Sequence, residues 1–311
     1  MSFSNVVKEE LSLTATDKDK RFTCLYGILL FCKQFSSDMV NLQTESESLA
    51  NLYPKLVNEV FNGEIKIRYD EIQKTRGKNL HCFLIDDKKG MNKIMKFYKI
   101  NPDKREINHI NIVNNSVGLF TAGVFLTCGS INDPNKEYHL EFVIPTEQLY
   151  LDFSKVLESL GFVAKMVRRK KDYVLYIKDS EEIEDMLTFM GAQQSTLDIM
   201  NIKILKDVRN RANRIANCDA ANIDKVIMAS TRQINDIKFI EKNIGLNNIA
   251  PDLREVAELR LDNPELSLKE IGELMVKPLH RSGVNRRFQK IAKIVENIRN
   301  EMDLEDKKTG D

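Results

Sequence analysis

The first 190 residues contain one order of secondary-structure patterns twice. An apolar helical segment at 22–32, FTCLYGILLFC, is matched by a second at 120–128, FTAGVFLTC. The glycines inside the two segments, Gly27 and Gly123, lie 96 residues apart. An internal repeat constrains the fold more than any single motif, because the second copy is expected to adopt the structure of the first.

Each copy is predicted to contain, in this order, a helix, a strand, a helix, two strands and a helix. In the first copy these elements are expected at 22–32, 38–44, 47–62, 64–72, 79–85 and 90–98. In the second copy they are expected at 120–128, 137–144, 146–160, 162–168, 173–179 and 181–190. The paired strands alternate apolar and polar residues, which is typical of a half-buried antiparallel sheet. The expected fold class is α+β with two α-β-α-β-β-α repeats; a coincidental likeness between two ordinary α+β stretches is the alternative.

The two matching glycines suggest how the copies pack. Glycine inside a helix costs about 1 kcal/mol relative to alanine, so its presence calls for a reason. If the copies form a pseudo-symmetric pair, their first helices can cross where Gly27 faces Gly123 and Ala122, because small residues permit close backbone approach. The alternative is a single glycine that is tolerated in a buried helix.

Composition excludes several classes of protein. Hydrophobic residues make up 42% and charged residues 30% of the 311 positions, which is ordinary for a soluble globular chain, and the net charge is only +1. The longest apolar run, 24–32, is too short to cross a bilayer, and the first residues, MSFSNVVKEEL, do not resemble a secretory signal. Five scattered cysteines without a C-x-x-C pair fit reduced thiols. We therefore expect a cytoplasmic protein without a metal, a cofactor or a membrane partner.

The glycine-containing helices resemble the motif of the LAGLIDADG homing endonucleases. Ala122-Gly123 aligns with the Ala-Gly of the motif, and Gly129 aligns with its last glycine. In that family the helices end in acidic residues that hold divalent metal at the scissile phosphate, since magnesium takes hard oxygen ligands. The corresponding positions here are Leu30, Cys32, Leu126 and Cys128. The resemblance implies a nuclease-like scaffold without nuclease chemistry, and Asp133 is expected to be a turn residue rather than a displaced ligand.

A basic helix is predicted at 196–221. Its apolar residues share one face of a helical wheel: Ile204, Leu205, Val208, Ala212, Ile215 and Ala216. The other side carries basic residues, interrupted only by Asp207: Lys203, Lys206, Arg209, Arg211 and Arg214. We expect this side to contact phosphates, and an ordinary solvated face is the alternative.

Several shorter helices are predicted after residue 220. One amphipathic helix is expected at 220–243, and Pro251 is expected to begin another that ends at Asn263-Pro264. The sequence Ser267-Leu-Lys-Glu270 is a capping box, and its helix should bury Leu268, Ile271 and Leu274. Ser282 is expected to cap a last helix whose apolar residues recur at helical spacing: Val284, Phe288, Ile291, Val295 and Ile298.

The last two helices together predict a helix-turn-helix in which the second helix reads DNA. Residues 277–299 contain seven lysines and arginines and one glutamate. Side chains suited to base edges are Ser282, Asn285, Arg286 and Gln289. Candidates for phosphate contacts here are Lys269, Lys277, Arg281, Arg287, Lys290 and Lys293. The segment resembles region 4 of sigma factors; a helical hairpin with a basic surface is the alternative.

Nearly the whole chain resembles the WhiA family of bacterial regulators. The resemblance rests on four segments in order: NVVKEEL (5–11), GSINDPNKEYHLEF (129–142), KDVRNRANRIANCDAANIDK (206–225) and SLKEIGELMVKPLHRSGVNRRFQKI (267–291). It implies a LAGLIDADG-like domain that has lost cleavage, a linker helix and a helix-turn-helix that binds promoter DNA. It also implies a role in sporulation, cell division or chromosome segregation.

These patterns divide the chain into a first repeat (1–100), a second repeat (101–195), a basic linker helix (196–221), a helical helix-turn-helix domain (222–303) and a disordered tail (304–311). We expect a non-enzymatic transcription regulator that binds specific sequences in double-stranded promoter DNA. We expect it to be associated with the nucleoid. A sigma factor or another regulator is the candidate protein partner. The sequence does not determine the oligomeric state, and a monomer is compatible with it. One alternative is an adaptor that binds such a partner and contacts DNA weakly. Another is an active metal-dependent endonuclease.

Overall fold

The computed structural model describes residues 2–73 and 79–309, with side chains as far as residue 302. The chain forms two compact units, Met1–Lys206 and Asp207–Asp311. The boundary between them falls inside the predicted linker helix. Within the described residues, no helix is both long and apolar enough to span a membrane.

Unit 1 consists of helices and two small sheets. Its first half contains α1 (Phe3–Ser12), α2 (Lys18–Leu30), β1 (Gln34–Phe35), β2 (Val40–Thr44), α3 (Glu47–Val60), β3 (Arg68–Gln73), β4 (Asn79–Ile85) and α4 (Lys88–Tyr98). After two short 3-10 turns, His109–Asn111 and Val113–Asn115, the second half contains α5 (Val117–Cys128), β5 (Gly129–Ile131), β6 (Leu140–Ile144), α6 (Glu147–Ser159), β7 (Lys165–Arg169), β8 (Asp172–Ile177) and α7 (Ser180–Met190).

The predicted duplication is confirmed, with one strand more in each copy. The sheets have the orders β1-β2-β4-β3 and β5-β6-β8-β7, and every pairing is antiparallel. Leu42 pairs with Phe83 in one sheet, and Phe142 pairs with Leu175 in the other. The added strands, β1 and β5, follow the glycine-containing helices directly. They escaped prediction because two or three residues are too few to show an alternating pattern.

The two glycine-containing helices cross at van der Waals distance, as the sequence predicts. A Cβ atom on Gly27 would lie 2.6 Å from the carbonyl oxygen of Phe120. A Cβ atom on Gly123 would overlap the carbonyl oxygen of Cys24 and lie 3.3 Å from the amide nitrogen of Ile28. Only glycine leaves room for this approach, so α2 and α5 form the centre of the unit 1 core.

The basic segment belongs to a helix much longer than predicted. Helix α8 runs from Gln193 to Asn243 without a break, whereas two helices meeting near residue 220 were expected. The sequence between these bounds contains neither glycine nor proline, so nothing in the chain stops the helix. The boundary between units lies within α8.

Unit 2 continues from α8 through a 3-10 turn at Leu246–Asn248 into α9 (Pro251–Asp262), α10 (Leu268–Leu274) and α11 (Arg281–Thr309). The capping box at Ser267 and Glu270 is confirmed by both of its hydrogen bonds. The predicted apolar face of the last helix is also confirmed, since its five residues are all buried with Ile237, Ile240 and Ile271.

Three expectations for unit 2 are wrong. Leu274 is 53% exposed, and Met275 is buried instead, because α10 ends at Leu274 and the chain turns there. Ser282 does not cap α11 but lies inside it, because the His280 carbonyl oxygen accepts the Gly283 and Val284 amides of the first turn. Helix α11 extends to Thr309, past the expected start of a disordered tail at 304, because no glycine or proline intervenes. Residues 310–311 of that tail lie outside the described residues.

Candidate nucleic-acid interface

The exposed face of α11 carries the four residues predicted to read bases. Ser282, Asn285, Arg286 and Gln289 are all exposed and fall at positions i, i+3, i+4 and i+7 of the helix, which places them on one side. The opposite side holds the buried apolar residues. Across the described part of the chain, none of the four makes a hydrogen bond or ion pair through its side chain. Their donors are therefore available to a ligand.

The predicted phosphate-contacting residues of unit 2 fall into two groups. The free group is exposed and forms no ion pair with a described residue: Lys277, Arg281, Lys290 and Lys293. The engaged group is Arg287, whose Nε lies 3.3 Å from the Asp252 carboxylate, and Lys269, whose Nζ lies 3.7 Å from Glu273. The Arg287 pair is half-buried, so this arginine joins α11 to α9.

The turn between α10 and α11 is fixed by backbone contacts. The Leu279 amide donates to the Gly272 carbonyl at 2.9 Å, and a Cβ atom on Gly272 would overlap the Leu279 carbonyl oxygen. The Val276 amide donates to the Glu255 carboxylate at 2.6 Å. Gly272 therefore leaves room both for the turn and for Val284 of α11. These contacts set where α11 presents its exposed face.

A buried arginine stabilises the segment that precedes α10. Arg260 is 2% exposed, and its guanidinium donates to the carbonyl oxygens of Asn263, Pro264 and Leu266 and to the Gln233 side chain. Burial lowers its pKa from the ordinary arginine value. Because it holds the segment that leads into α10, Arg260 positions the helix-turn-helix against α8.

The basic side of α8 is only partly free. Lys203 pairs with Glu181 at 3.1 Å, and Lys206 donates to the Pro134 carbonyl at 2.6 Å, so both are engaged within unit 1. The other three predicted phosphate contacts, Arg209, Arg211 and Arg214, are exposed. The apolar face of this segment is exposed as well, with Ile204, Val208 and Ile215 more than half accessible.

The four positions that correspond to nuclease carboxylates lie at the ends of α2 and α5. Leu30, Leu126 and Cys32 are buried, and Cys128 is half-buried. Burial raises the pKa of the Cys32 thiol to about 11 and that of the Cys128 thiol to about 12, so both are neutral at physiological pH. Neutral thiols are poor ligands for hard divalent cations. Asp133 accepts the Asn135 amide at 2.9 Å, which confirms it as a turn residue.

Two cations of the chain itself occupy the neighbourhood of these helix ends. The Arg105 guanidinium donates to the carbonyl oxygens of Leu30 and Cys32, and the Lys8 ammonium donates to the Leu126 carbonyl at 3.0 Å. Burial lowers the pKa of Arg105 to about 10 and that of Lys8 to about 8, so both remain mostly protonated at pH 7. The positive charges complement the negative C-terminal ends of α2 and α5.

The space beside these helix ends is a cavity of about 450 Å³ lined by Cys32, Gln34, Thr127, Cys128, Ser130 and Val143, among others. No cluster of three or more His, Cys, Asp and Glu residues that could hold a metal occurs in the described part of the chain. The two fixed cations at the neighbouring helix ends disfavour a divalent ion there.

Sequence reasoning missed the half-buried Lys8 and the buried Arg105 and Arg260. Their partners are mainly backbone carbonyl oxygens, 118 residues away for Lys8 and 75 and 73 for Arg105. Every residue has a backbone carbonyl, so the amino-acid sequence does not indicate which carbonyl accepts a hydrogen bond. In addition, helix α1, which carries Lys8, was not predicted from the sequence. The charge pattern alone held no signal for these contacts.

Comparison with known families supports the division seen in the fold. A family model described as the WhiA LAGLIDADG-like domain matches residues 117–209. A second model, described as the WhiA C-terminal HTH domain, matches residues 212–295.

Relatives match over almost the whole chain. The protein named "Probable cell division protein WhiA" in Clostridium novyi (strain NT) is 37% identical over 317 residues, covering 97% of this chain and 99% of that protein. Its namesake in Clostridium perfringens (strain SM101 / Type A) is 36% identical over 315 residues, with 96% and 99% covered.

Solved structures agree with the architecture. The crystal structure of full-length DUF199/WhiA from Thermotoga maritima superposes with a TM-score of 0.56 at 25% identity, covering 96% of this chain and 99% of that chain. The N-terminal LAGLIDADG domain of DUF199/WhiA gives a TM-score of 0.50 at 20% identity, covering 65% of this chain and 96% of that one, which shows a shared fold.

Proposed function

The chain belongs to the WhiA family, with a degenerate LAGLIDADG-like domain followed by a helix-turn-helix, and from this premise we propose that it is a sequence-specific DNA-binding transcription regulator. Its partner is double-stranded promoter DNA, and its place is the nucleoid in the cytoplasm. The proposed process is cell division, which appears in the names of its relatives, together with sporulation or chromosome segregation. We keep the sequence-derived limits of the two repeats (1–100 and 101–195) and of the helix-turn-helix domain (222–303) as part of this proposal.

The observation that carries the proposal is the exposed face of α11. Four donor and acceptor side chains project from the side opposite the core, and Lys290 and Lys293 lie next to them. A helix with this division suits the major groove, where amide and guanidinium groups pair with base edges while lysines contact phosphates.

Selection from a random duplex library tests the proposal. We expect the full chain to enrich one sequence family and to bind it more tightly than unselected duplex by about a thousandfold or more. Genomic positions recovered by chromatin immunoprecipitation should then contain that sequence. Enrichment of no sequence over repeated rounds contradicts sequence-specific recognition.

We predict that Arg286→Ala relaxes specificity at one base pair. Arginine reads guanine through two hydrogen bonds, so its removal should cost about 1–3 kcal/mol on the preferred site and little on sites altered at that base. The measurement is the affinity of wild type and variant for a panel of single-base variants of the selected site.

Lys290→Ala is the matched control for that prediction. It removes one exposed positive charge from the same helix, and as a phosphate contact it should weaken binding to every duplex of the panel about equally. If Arg286→Ala also weakens all duplexes equally, Arg286 contacts phosphate and the assignment of the reading face fails.

The endonuclease alternative gives a second prediction. We expect neither the wild-type chain nor a Cys32→Asp/Cys128→Asp variant to nick supercoiled plasmid in magnesium or manganese above a buffer control. Carboxylates placed at those helix ends would lie near the charges of Arg105 and Lys8, which favour the ionised form of a group there, and would pair with them before a metal ion. Metal-dependent nicking by either protein would show that the centre can still assemble.

A further inference from the structure

The duplication provides a matched pair of surface helices, α4 and α7. Each has 11 residues, begins after an aspartate cap, Asp87 or Asp179, and ends at a left-handed residue, Lys99 or Gly191. In both helices the amide of the residue after this one donates the same hydrogen bond. The Ile100 amide donates to the Met95 carbonyl, and the Ala192 amide donates to the Leu187 carbonyl. Every position of α4 therefore corresponds to the residue 92 further along the chain.

The outer face of α7 is covered by the first turns of α8. Thr196 of α8 donates to the Glu184 carbonyl at 3.4 Å and lies 3.2 Å from the Thr188 hydroxyl. Lys203 pairs with Glu181 at 3.1 Å and lies 3.8 Å from the Glu184 carboxylate. Glu184 is in consequence only 7% exposed. The second copy thus shows what covers this face: a helix whose charge is opposite to that of α7.

The corresponding face of α4 is open and has the opposite charge. The residues at these positions line a shallow groove: Lys89, Asn92, Lys93, Lys96 and Phe97. Asn92, the counterpart of buried Glu184, is exposed. After α4 the chain continues through Asn101-Pro102 and forms only the two short 3-10 turns before α5, so nothing equivalent to the start of α8 follows. Where α7 presents Glu181 and Asp185, α4 presents Lys89 and Lys93.

The open face also has an apolar element. Phe97 is 43% exposed, and its ring is held in place by Phe22 at 5.5 Å and Phe61 at 5.0 Å between centroids. Lys93 is partly engaged by Glu64, whose carboxylate lies 2.5 Å from the Lys93 ammonium nitrogen. A fixed aromatic ring between lysines suits an amphipathic helix with acidic residues better than a nucleic-acid backbone, which has no apolar side to set against the ring.

We propose that this face of α4 is a docking site for an acidic amphipathic helix of a partner protein. The partner helix lies on α4 as α8 lies on α7, with its carboxylates on Lys89 and Lys96 and an apolar side chain on Phe97. This surface belongs to unit 1 and the proposed DNA-reading face of α11 to unit 2, so substitutions in each can be tested separately.

A peptide probe tests the site on the full chain. The probe is a stapled copy of residues 193–207, QQSTLDIMNIKILKD, with the staple joining positions 201 and 205, away from the contacting side. Thr196→Glu and Lys203→Glu place carboxylates opposite Lys96 and Lys89, since Thr196 contacts Thr188 and Lys203 pairs with Glu181 in the second copy. Lys206→Glu removes the remaining positive charge of the probe. Fluorescence anisotropy should show saturable binding that weakens with salt. The variant Lys89→Glu/Lys96→Glu should weaken it at least about tenfold.

Controls separate docking from general charge attraction. The variant Lys55→Glu/Lys155→Glu makes the same charge change at exposed helix positions elsewhere in unit 1 and should bind the probe as wild type does. A scrambled probe of the same composition should not bind. Equal effects of the two double variants, or binding of the scrambled probe, overturns the proposal.

The DNA arm identifies the competing class of ligand. Affinity for random-sequence duplex is measured for wild type and for Lys89→Glu/Lys96→Glu. We expect no more than a small change. If this variant loses duplex affinity about tenfold while the probe fails to bind wild type, the face contacts nucleic acid and the partner-helix proposal is wrong.

Discussion

Replacing Gly123 by alanine is expected to destabilise unit 1 by about 2–3 kcal/mol, and replacing it by leucine by about 3 kcal/mol or more. A glycine-to-alanine change within a helix ordinarily stabilises by about 0.5–1 kcal/mol, so the sign of the effect isolates the packing. The added methyl group would overlap the Cys24 carbonyl oxygen on a backbone that cannot rotate away. All eight tyrosines lie in unit 1, so urea unfolding followed by tyrosine near-UV circular dichroism reports on this unit.

Gly283→Ala is the control for the same chemical change. A Cβ atom there would lie 3.6 Å from its nearest neighbour, an ordinary contact in the first turn of α11. This variant should leave the tyrosine transition of unit 1 unchanged. An unaltered transition in Gly123→Ala would remove the argument that α2 and α5 depend on glycine at their crossing.

The affinity of the full chain for its selected DNA site is expected to fall roughly a thousandfold between 50 and 200 mM salt. This is the response of a protein that neutralises about six phosphates. The exposed cations available on α8 and in unit 2 are sufficient in number: Arg209, Arg211, Arg214, Lys277, Arg281, Lys290 and Lys293. Anisotropy titrations of a labelled duplex at four or five salt concentrations give the slope directly.

The slope also separates a regulator from an adaptor. A Lys290→Ala/Lys293→Ala variant should lower the magnitude of the slope by about two, because each phosphate contact contributes about one. Lys203→Ala should leave it unchanged, since that lysine is paired with Glu181. A flat response in the wild type would instead favour an adaptor that binds a sigma factor or another regulator and contacts DNA weakly.

The ends of α2 and α5 show how a nuclease-like scaffold differs when its carboxylates are replaced by neutral residues. In the absence of other cations, carboxylates at these positions would require a metal ion to offset their charge beside the negative helix ends. Here the side chains are neutral, and Arg105 and Lys8 contribute the positive charge from the chain itself. The helix ends are therefore stabilised without a bound ion, which is consistent with a domain kept for binding or support.

Much of the fold was determined by local sequence. The repeat, the alternating strands, the capping box at Ser267 and the apolar spacing of α11 all express contacts between residues a few positions apart, so they can be read along the chain. The same holds for the exposed face of α11 proposed to read DNA, because the helical period alone separates Ser282, Asn285, Arg286 and Gln289 from the core.

The tertiary structure decided which charged residues are free. Lys203, Lys206 and Arg287 fit a phosphate-binding pattern in the sequence, yet each is engaged by a group supplied by another element. Lys8, Arg105 and Arg260 gave no signal because backbone carbonyls, which every residue has, are their main acceptors. The sequence thus determined the elements and their faces, while the availability of each charge depends on distant parts of the chain that only folding brings within a few ångströms.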